Sequence, residues 1–192
     1  MSLLMEYPNA PEIEASGWLN AEGAMSLANL KGSVVVIHAF QMLCPGCVSN
    51  GIPQTKRIAA TFPESEVKVI GLHSVFEHHS VMTPDALKAF IHEYKITFPV
   101  AIDKPSSTDH IPMTMQRYNM RGTPTLILID KNGKLRLNHF GLMEDMQVGN
   151  MISQLVSETA STYYSSDKAA SAKVVSAEEV AASQCTDTGC QV

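Results

Sequence analysis

A seven-residue apolar run, Val34-Val35-Val36-Ile37-His38-Ala39-Phe40, ends three residues before the sequence Cys44-Pro45-Gly46-Cys47. Its short length and β-branched side chains read as a central strand covered on both faces. Beyond the cysteines, Ile52, Ile58 and Phe62 recur at a loose helical spacing over 47–62, and Pro63 closes the segment. Pro53 lies inside this stretch and is expected to kink the helix or delay its regular part. Any fold for this chain must therefore join the end of a buried strand to the start of a helix at a pair of cysteines.

The remaining segments fit around that unit. Val67–Val75 reads as a second buried strand. Thr83-Pro84-Asp85 combines an N-cap, a proline for the first helical position and an acid for the first turn, so a helix should run from there to about Tyr94. A short strand is expected over 98–102, a polar loop over 103–110 and a short helix over 113–119. Thr125–Ile129 is a third strongly apolar strand. Asp130-Lys131-Asn132-Gly133 has hairpin-turn chemistry and leads into a partner strand at 135–140. A closing amphipathic helix suits 144–162. Residues 8–32, which include the single tryptophan Trp18, show little periodicity and read as a lead-in.

Strands alternating with helices, then a hairpin and a last helix, imply an α/β fold: a mixed central sheet with helices on both faces. After Tyr164 the chain becomes rich in Ala and Ser. Residues 1–164 are expected to form the domain. Residues 165–192 are expected to be a mostly mobile tail with one helical stretch near 174–182.

Charge and hydropathy narrow the partners. The net charge is −5, without a clustered basic patch, which argues against nucleic acid. No apolar run approaches the roughly 20 residues that span a bilayer, so no membrane partner is expected. The first eight residues lack the basic and apolar regions of a signal peptide, giving a cytoplasmic expectation; a removed leader would make the protein periplasmic or secreted. Oligomeric state leaves no sequence signal.

The four cysteines, Cys44, Cys47, Cys185 and Cys190, are too few in 192 residues for a disulfide scaffold. A C-x-x-C at a strand-to-helix junction is redox-active or metal-binding. In the redox reading, the free N–H groups at the helix start favour thiolate at Cys44, which attacks a disulfide, and Cys47 resolves the mixed disulfide. Pro45 suits an early helical position because its missing N–H would be unpaired there. A zinc site needs four ligands, and no second pair lies at finger or ribbon spacing. Cys185 and Cys190, in CTDTGC, are either an auxiliary redox pair that exchanges electrons with the first or two incidental thiols.

The stretches VVVIHAFQMLCPGC (34–47), RGTPT (121–125) and LILIDKNGKL (126–135) resemble the thioredoxin-like superfamily. The resemblance is closest to the TlpA/ResA-type thiol-disulfide oxidoreductases and the broader redoxin (AhpC/TSA-related) group, and covers roughly 17–156. It implies a three-layer α/β/α fold and thiol-disulfide exchange on protein or low-molecular-weight disulfides. An electron-donating reductant would be the partner, with no cofactor beyond the redox-active disulfide and no metal. It also implies that Thr123-Pro124 is a cis-proline platform facing the dithiol, so that Thr123, Pro124, Pro45 and Gly46 contact substrate. The residues alone would allow a proline at the start of a strand.

Two departures bear on mechanism. Leu43 stands where the family usually has tryptophan, and Asn50 where many TlpA-like proteins have a glutamate. The acid/base helper must then lie elsewhere. His38, six residues before Cys44, occupies the strand position where thioredoxins carry a buried aspartate. A neutral imidazole there could take the Cys47 proton, or it could be a silent core histidine.

A peroxiredoxin-type thiol peroxidase with Cys44 as the peroxidatic residue is the alternative. That family needs Thr or Ser and Pro just before this cysteine, where Gln41-Met42-Leu43 stand, although Arg121 could polarise a peroxide. A second alternative is a binding module that holds metal or a partner on its thiols without turnover. His73, His78 and His79 could be metal ligands but read better as a solvated loop. Met113, Met115 and Met120 could line a groove but read better as packing.

Overall fold

The computed structural model describes residues 7–159. The expected domain boundary at 164/165, the helical stretch near 174–182 and the pair Cys185 and Cys190 lie outside the described residues. Among those described, the strands are β1 (Ala15–Leu19), β2 (Val34–Phe40), β3 (Val67–His73), β4 (Val100–Asp103), β5 (Thr125–Ile129) and β6 (Leu135–Phe140). The helices are α1 (Ile52–Thr61), α2 (Pro84–Glu93), α3 (Met113–Arg117) and α4 (Asp145–Ser157). No helix among the described residues is long and apolar enough to cross a membrane.

The sheet has the order β1-β4-β3-β2-β5-β6. β3 runs parallel to β2 and β4, and the other pairings are antiparallel, so the sheet is mixed as expected. β2 sits inside it with all seven residues buried. The two-residue period of the strand splits its side chains between two cores. Val34, Val36 and Phe40 pack with Val69, Leu126 and Leu128 beneath Ile52 and Ile58 of α1, Leu87 of α2 and Ile152 of α4. Val35, Ile37 and Ala39 face the other way, against Met115, Tyr118 and Met120 and the lead-in residues Ile13, Trp18 and Leu27. A slip of one residue in β2 would exchange the two sets, so both cores hold the register that aims the dithiol.

The three methionines at 113, 115 and 120 thus belong to or flank α3, with Met115 and Met120 buried in packing. The Thr83 hydroxyl accepts the Ala86 N–H at 3.3 Å and starts α2 as its sequence predicts. Asp130 accepts the N–H groups of Asn132 and Lys134, both at 2.9 Å, and Gly133 takes φ +80°, which closes the β5–β6 turn.

Two of the following features differ from expectation, while the late start of α1 is the delay that Pro53 predicts. The lead-in contains β1, an edge strand whose half-buried ASGWL carries no apolar alternation to reveal it. Regular α1 begins only at Ile52, after a π-turn at Cys47–Gly51 in which the Ile52 N–H reaches the Cys47 carbonyl. Pro53 is the physical cause: its ring would strike the carbonyl four residues back in a regular helix, and a widened turn moves that carbonyl aside. Helix α4 ends at Ser157 rather than near 162, because the Lys131 ammonium takes the Val156 carbonyl and Arg136 clasps Glu158.

Asp103, expected to open a polar loop, is instead buried at the end of β4. It accepts hydrogen bonds from Ser74 Oγ and the Thr114 N–H, both at 2.8 Å, and from the Met115 N–H at 3.1 Å. One carboxylate therefore fixes the start of α3 to the sheet.

Candidate active site

The carboxyl end of β2 delivers Gln41-Met42-Leu43 and then the two cysteines. The Cys44 N–H returns to the Gln41 carbonyl at 3.2 Å, and the Val48 N–H reaches the Cys44 carbonyl at 3.1 Å. These two bonds turn the chain from strand into helix at the dithiol. Cys44 is partly exposed and Cys47 is fully buried, both as free thiols. The Cys47 N–H points at Cys44 Sγ, 3.2 Å away. A donor therefore already faces the sulfur on which charge would develop. Burial, followed by the neighbouring Cys44, holds the Cys47 thiol protonated well above the ordinary thiol range. The two sulfurs are thus inequivalent: one is reachable, the other shielded and neutral.

The Thr123–Pro124 bond is cis, and the Thr123 carbonyl accepts from Cys44 Sγ at 3.5 Å. The Pro124 ring packs along the cysteine turn. A Cβ on Gly46 would meet its Cδ at 3.4 Å, and one on Gly51 would meet its Cβ at 3.4 Å. Behind the platform, the Thr125 hydroxyl donates to the Gly122 carbonyl at 2.7 Å. Pro45 is exposed between the cysteines, and Leu43 beside them is 58% exposed. An apolar side chain at that place offers a substrate a dry contact without a hydrogen bond.

His38 lies beneath the turn. A Cβ on Gly51 would fall only 2.3 Å from its Nε2, so the imidazole fills the space that a side chain at 51 would need. The ring stacks on Phe40 at 6.1 Å, and neither of its nitrogens has a hydrogen-bond partner in the protein. Burial pulls its pKa down to about 4, so it is neutral at ordinary pH. His38 touches the turn at Gly51 and makes no hydrogen bond to Cys47.

The structure therefore brings together Cys44, Cys47, Gly46, Thr123 and Pro124, with His38 joined to them through Gly51. Arg121 makes no hydrogen bond to Cys44; its guanidinium lies over the Phe140 ring, 5.5 Å from the centroid. His73 is buried against Phe40 at 5.4 Å, while His78 and His79 are exposed. Among the described residues no group of three or more His, Cys, Asp or Glu side chains could hold a metal ion.

Two contributors escape a reading of the sequence. Gly51 is one, since its partner lies 13 positions away on β2; a glycine two residues before a helical proline was the available signal. Gln41 is the other. Its buried amide reaches Glu77 Oε1 and the Phe76 N–H, both at 3.4 Å, tying the approach to Cys44 to the loop after β3.

The chain matches the AhpC/TSA family over residues 8–138. It is 25% identical over 125 residues to the thiol-disulfide oxidoreductase ResA of Halalkalibacterium halodurans, covering 65% of this chain and 64% of that one. With ResA of Bacillus cereus the identity is 30% over 111 residues, covering 58% and 57%. The chain thus spans about three fifths of the length of these curated relatives. Among solved structures, a thioredoxin-like superfamily protein is 52% identical, with a TM-score of 0.78 over 80% of this chain and 99% of that one. A thiol-disulfide isomerase from Corynebacterium glutamicum is 51% identical, with a TM-score of 0.75 over 79% and 99%. Strand-to-dithiol turn, cis-proline and mixed sheet agree with these likenesses: the chain belongs to the AhpC/TSA family and is a TlpA/ResA-like member of the thioredoxin superfamily.

Proposed function

We propose that the chain is a thiol-disulfide oxidoreductase in which Cys44 attacks and Cys47 resolves. The observation that carries this is the inequivalence of the two sulfurs: Cys44 Sγ is reachable and faces both the Cys47 N–H and the Thr123 carbonyl, while Cys47 is buried. The Cys44 thiolate attacks one sulfur of a substrate disulfide, and the other substrate sulfur leaves as a thiolate. Cys47 then loses its proton and attacks Cys44 Sγ, releasing the second substrate thiol and closing the 44–47 disulfide. Two electrons pass to the substrate, and an external dithiol restores the reduced state. The electron transfer itself runs through the sulfurs alone.

In this reading Thr123, Gly46 and Pro45 form the surface on which the substrate lies, and the buried Pro124 backs it from beneath the cysteine turn. The unengaged imidazole of His38 accepts the Cys47 proton while the resolving attack proceeds. Protein disulfides and low-molecular-weight disulfides are the substrate classes.

The test measures the reduction potential of the 44–47 couple together with disulfide reduction and hydrogen peroxide turnover on one sample. Catalytic reduction of insulin disulfides, lost in Cys44→Ser and without peroxide consumption, is the expected result. Peroxide turnover through Cys44 without disulfide reduction would replace this reading with a peroxidase. Metal that survives dialysis, with neither activity, would replace it with a binding module.

A further inference from the structure

We propose that Arg121 is a carboxylate-recognition site beside the substrate platform, so that the chain favours disulfides bearing a carboxylate next to the attacked sulfur. The proposal rests on Cys44 being that attacking group. The chain has four arginines. Arg57 pairs with Asp145 at 2.7 Å, Arg117 with Glu14 at 2.9 Å, and Arg136 with Asp130 at 3.1 Å and with Glu158. Arg121 has no carboxylate partner among the described residues. It is held instead over Phe140, which steadies a guanidinium without neutralising it.

The loop is built to keep it there. A Cβ on Gly122 would fall 2.8 Å from Phe140 Cε2, so glycine lets the aromatic ring close against the backbone next to Arg121. The Thr125 hydroxyl fixes the Gly122 carbonyl behind it. The recess beside the guanidinium, about 300 Å³, is lined by Asn119, Arg121, Asn138, His139 and Phe140 and contains no carboxylate. Asn138 and His139 spend hydrogen bonds on the Tyr118 and Leu142 carbonyls, which leaves Arg121 as the one guanidinium among the residues that line the recess.

Position supplies the specificity. Thr123, whose carbonyl meets Cys44 Sγ at 3.5 Å, is two residues downstream of Arg121. Two residues of chain span at most about 7 Å, so the Arg121 backbone lies within that distance of the Thr123 backbone, across which the attacked cysteine would lie. A planar donor fork matches a carboxylate with two parallel bonds. The chain as a whole is acidic, at −5, so attraction for an anionic substrate must be local.

The test uses three end-capped cyclic disulfide peptides, identical except for Asp, Asn or Lys beside the attacked cysteine, reduced in single turnover by the pre-reduced full chain. A second arm compares oxidised glutathione with its ethyl ester, which separates a peptide source of the carboxylate from a small-molecule one. The wild type should reduce the Asp peptide about two- to fivefold faster than the Lys peptide, as an exposed ion pair allows. Arg121→Gln should level the ratio, Arg121→Lys should keep part of it, and high salt should compress it. A preference in either arm that Arg121→Gln removes supports the site and names its source. Equal rates in both arms, or a preference that survives Arg121→Gln, overturn it while leaving the dithiol reading intact. A wild type that reduces no disulfide overturns that reading, and the Arg121 site with it.

Discussion

Replacing Gly51 by Ala puts a methyl group where an imidazole already lies. The new carbon would fall 2.3 Å from Nε2 and 2.6 Å from Cε1 of His38, roughly 1 Å or more inside the 3.5–4.0 Å at which non-bonded atoms rest. The ring has little room to retreat: it is 3% exposed and stacks on Phe40. Overpacking a closed core in this way costs about 1–3 kcal/mol. Gly51 has ordinary helical angles, φ −61° and ψ −52°, so its backbone does not demand glycine. In an unhindered helix the same change would stabilise by about 1 kcal/mol. The net expectation is a loss of about 1 kcal/mol in the wild type and a gain of up to about 1 kcal/mol in a His38→Ala background. Urea unfolding of the four reduced proteins in a double-mutant cycle should show a coupling of about 2 kcal/mol, well above the few tenths expected of independent sites. Additive effects within that margin would refute the claim that His38 supports the cysteine turn through Gly51.

The remaining predictions concern buried polar groups of both cores. His38→Ala should leave alkylation of Cys44 fast and slow the release of substrate from a mixed disulfide; unchanged release, followed by stopped flow, would remove His38 from the resolving step. His38 and His73 are both pulled down to about 4 by burial, against 6.5 in an unfolded chain. Between those pH values the unfolded chain binds protons that the fold does not. Stability should therefore be complete above about pH 6.5 and fall as the pH drops toward 4, by about 3 kcal/mol for each histidine. Urea midpoints that stay level across this window would contradict the burial argument. Asp103→Ala strips the acceptor from Ser74 Oγ and from the Thr114 and Met115 N–H groups, and should cost about 2 kcal/mol in the same assay.

Much of the fold was legible because its elements carry local chemistry. All seven residues of β2 are buried, so the apolar run alone reveals it. Thr83-Pro84-Asp85 and Asp130–Gly133 announce a helix start and a hairpin through hydrogen bonds that their own side chains make. β1 was hidden because an edge strand with intermediate burial needs no alternation. Pro53 told that the first helix would be disturbed, but not that a π-turn would absorb the disturbance and carry Cys47. The two cysteines were legible from their spacing, whereas the platform was not: Thr123-Pro124 by itself reads as a proline at the start of a strand, and family resemblance was needed to place it opposite Cys44. His38 was readable as buried, and Asp103 as polar. Their actual neighbours, Gly51 for one and Ser74 with the start of α3 for the other, come from elements distant in sequence and depend on packing.

The central claim, that Cys44 attacks and Cys47 resolves, is tested most directly by trapping. Cys47→Ser incubated with a disulfide substrate should stop at a mixed disulfide, seen by mass spectrometry as one substrate half attached to Cys44 and released by an added dithiol. Cys44→Ser should trap nothing, because the remaining thiol is buried and held protonated. A mixed disulfide that maps to Cys47, or none in either variant, would contradict the account.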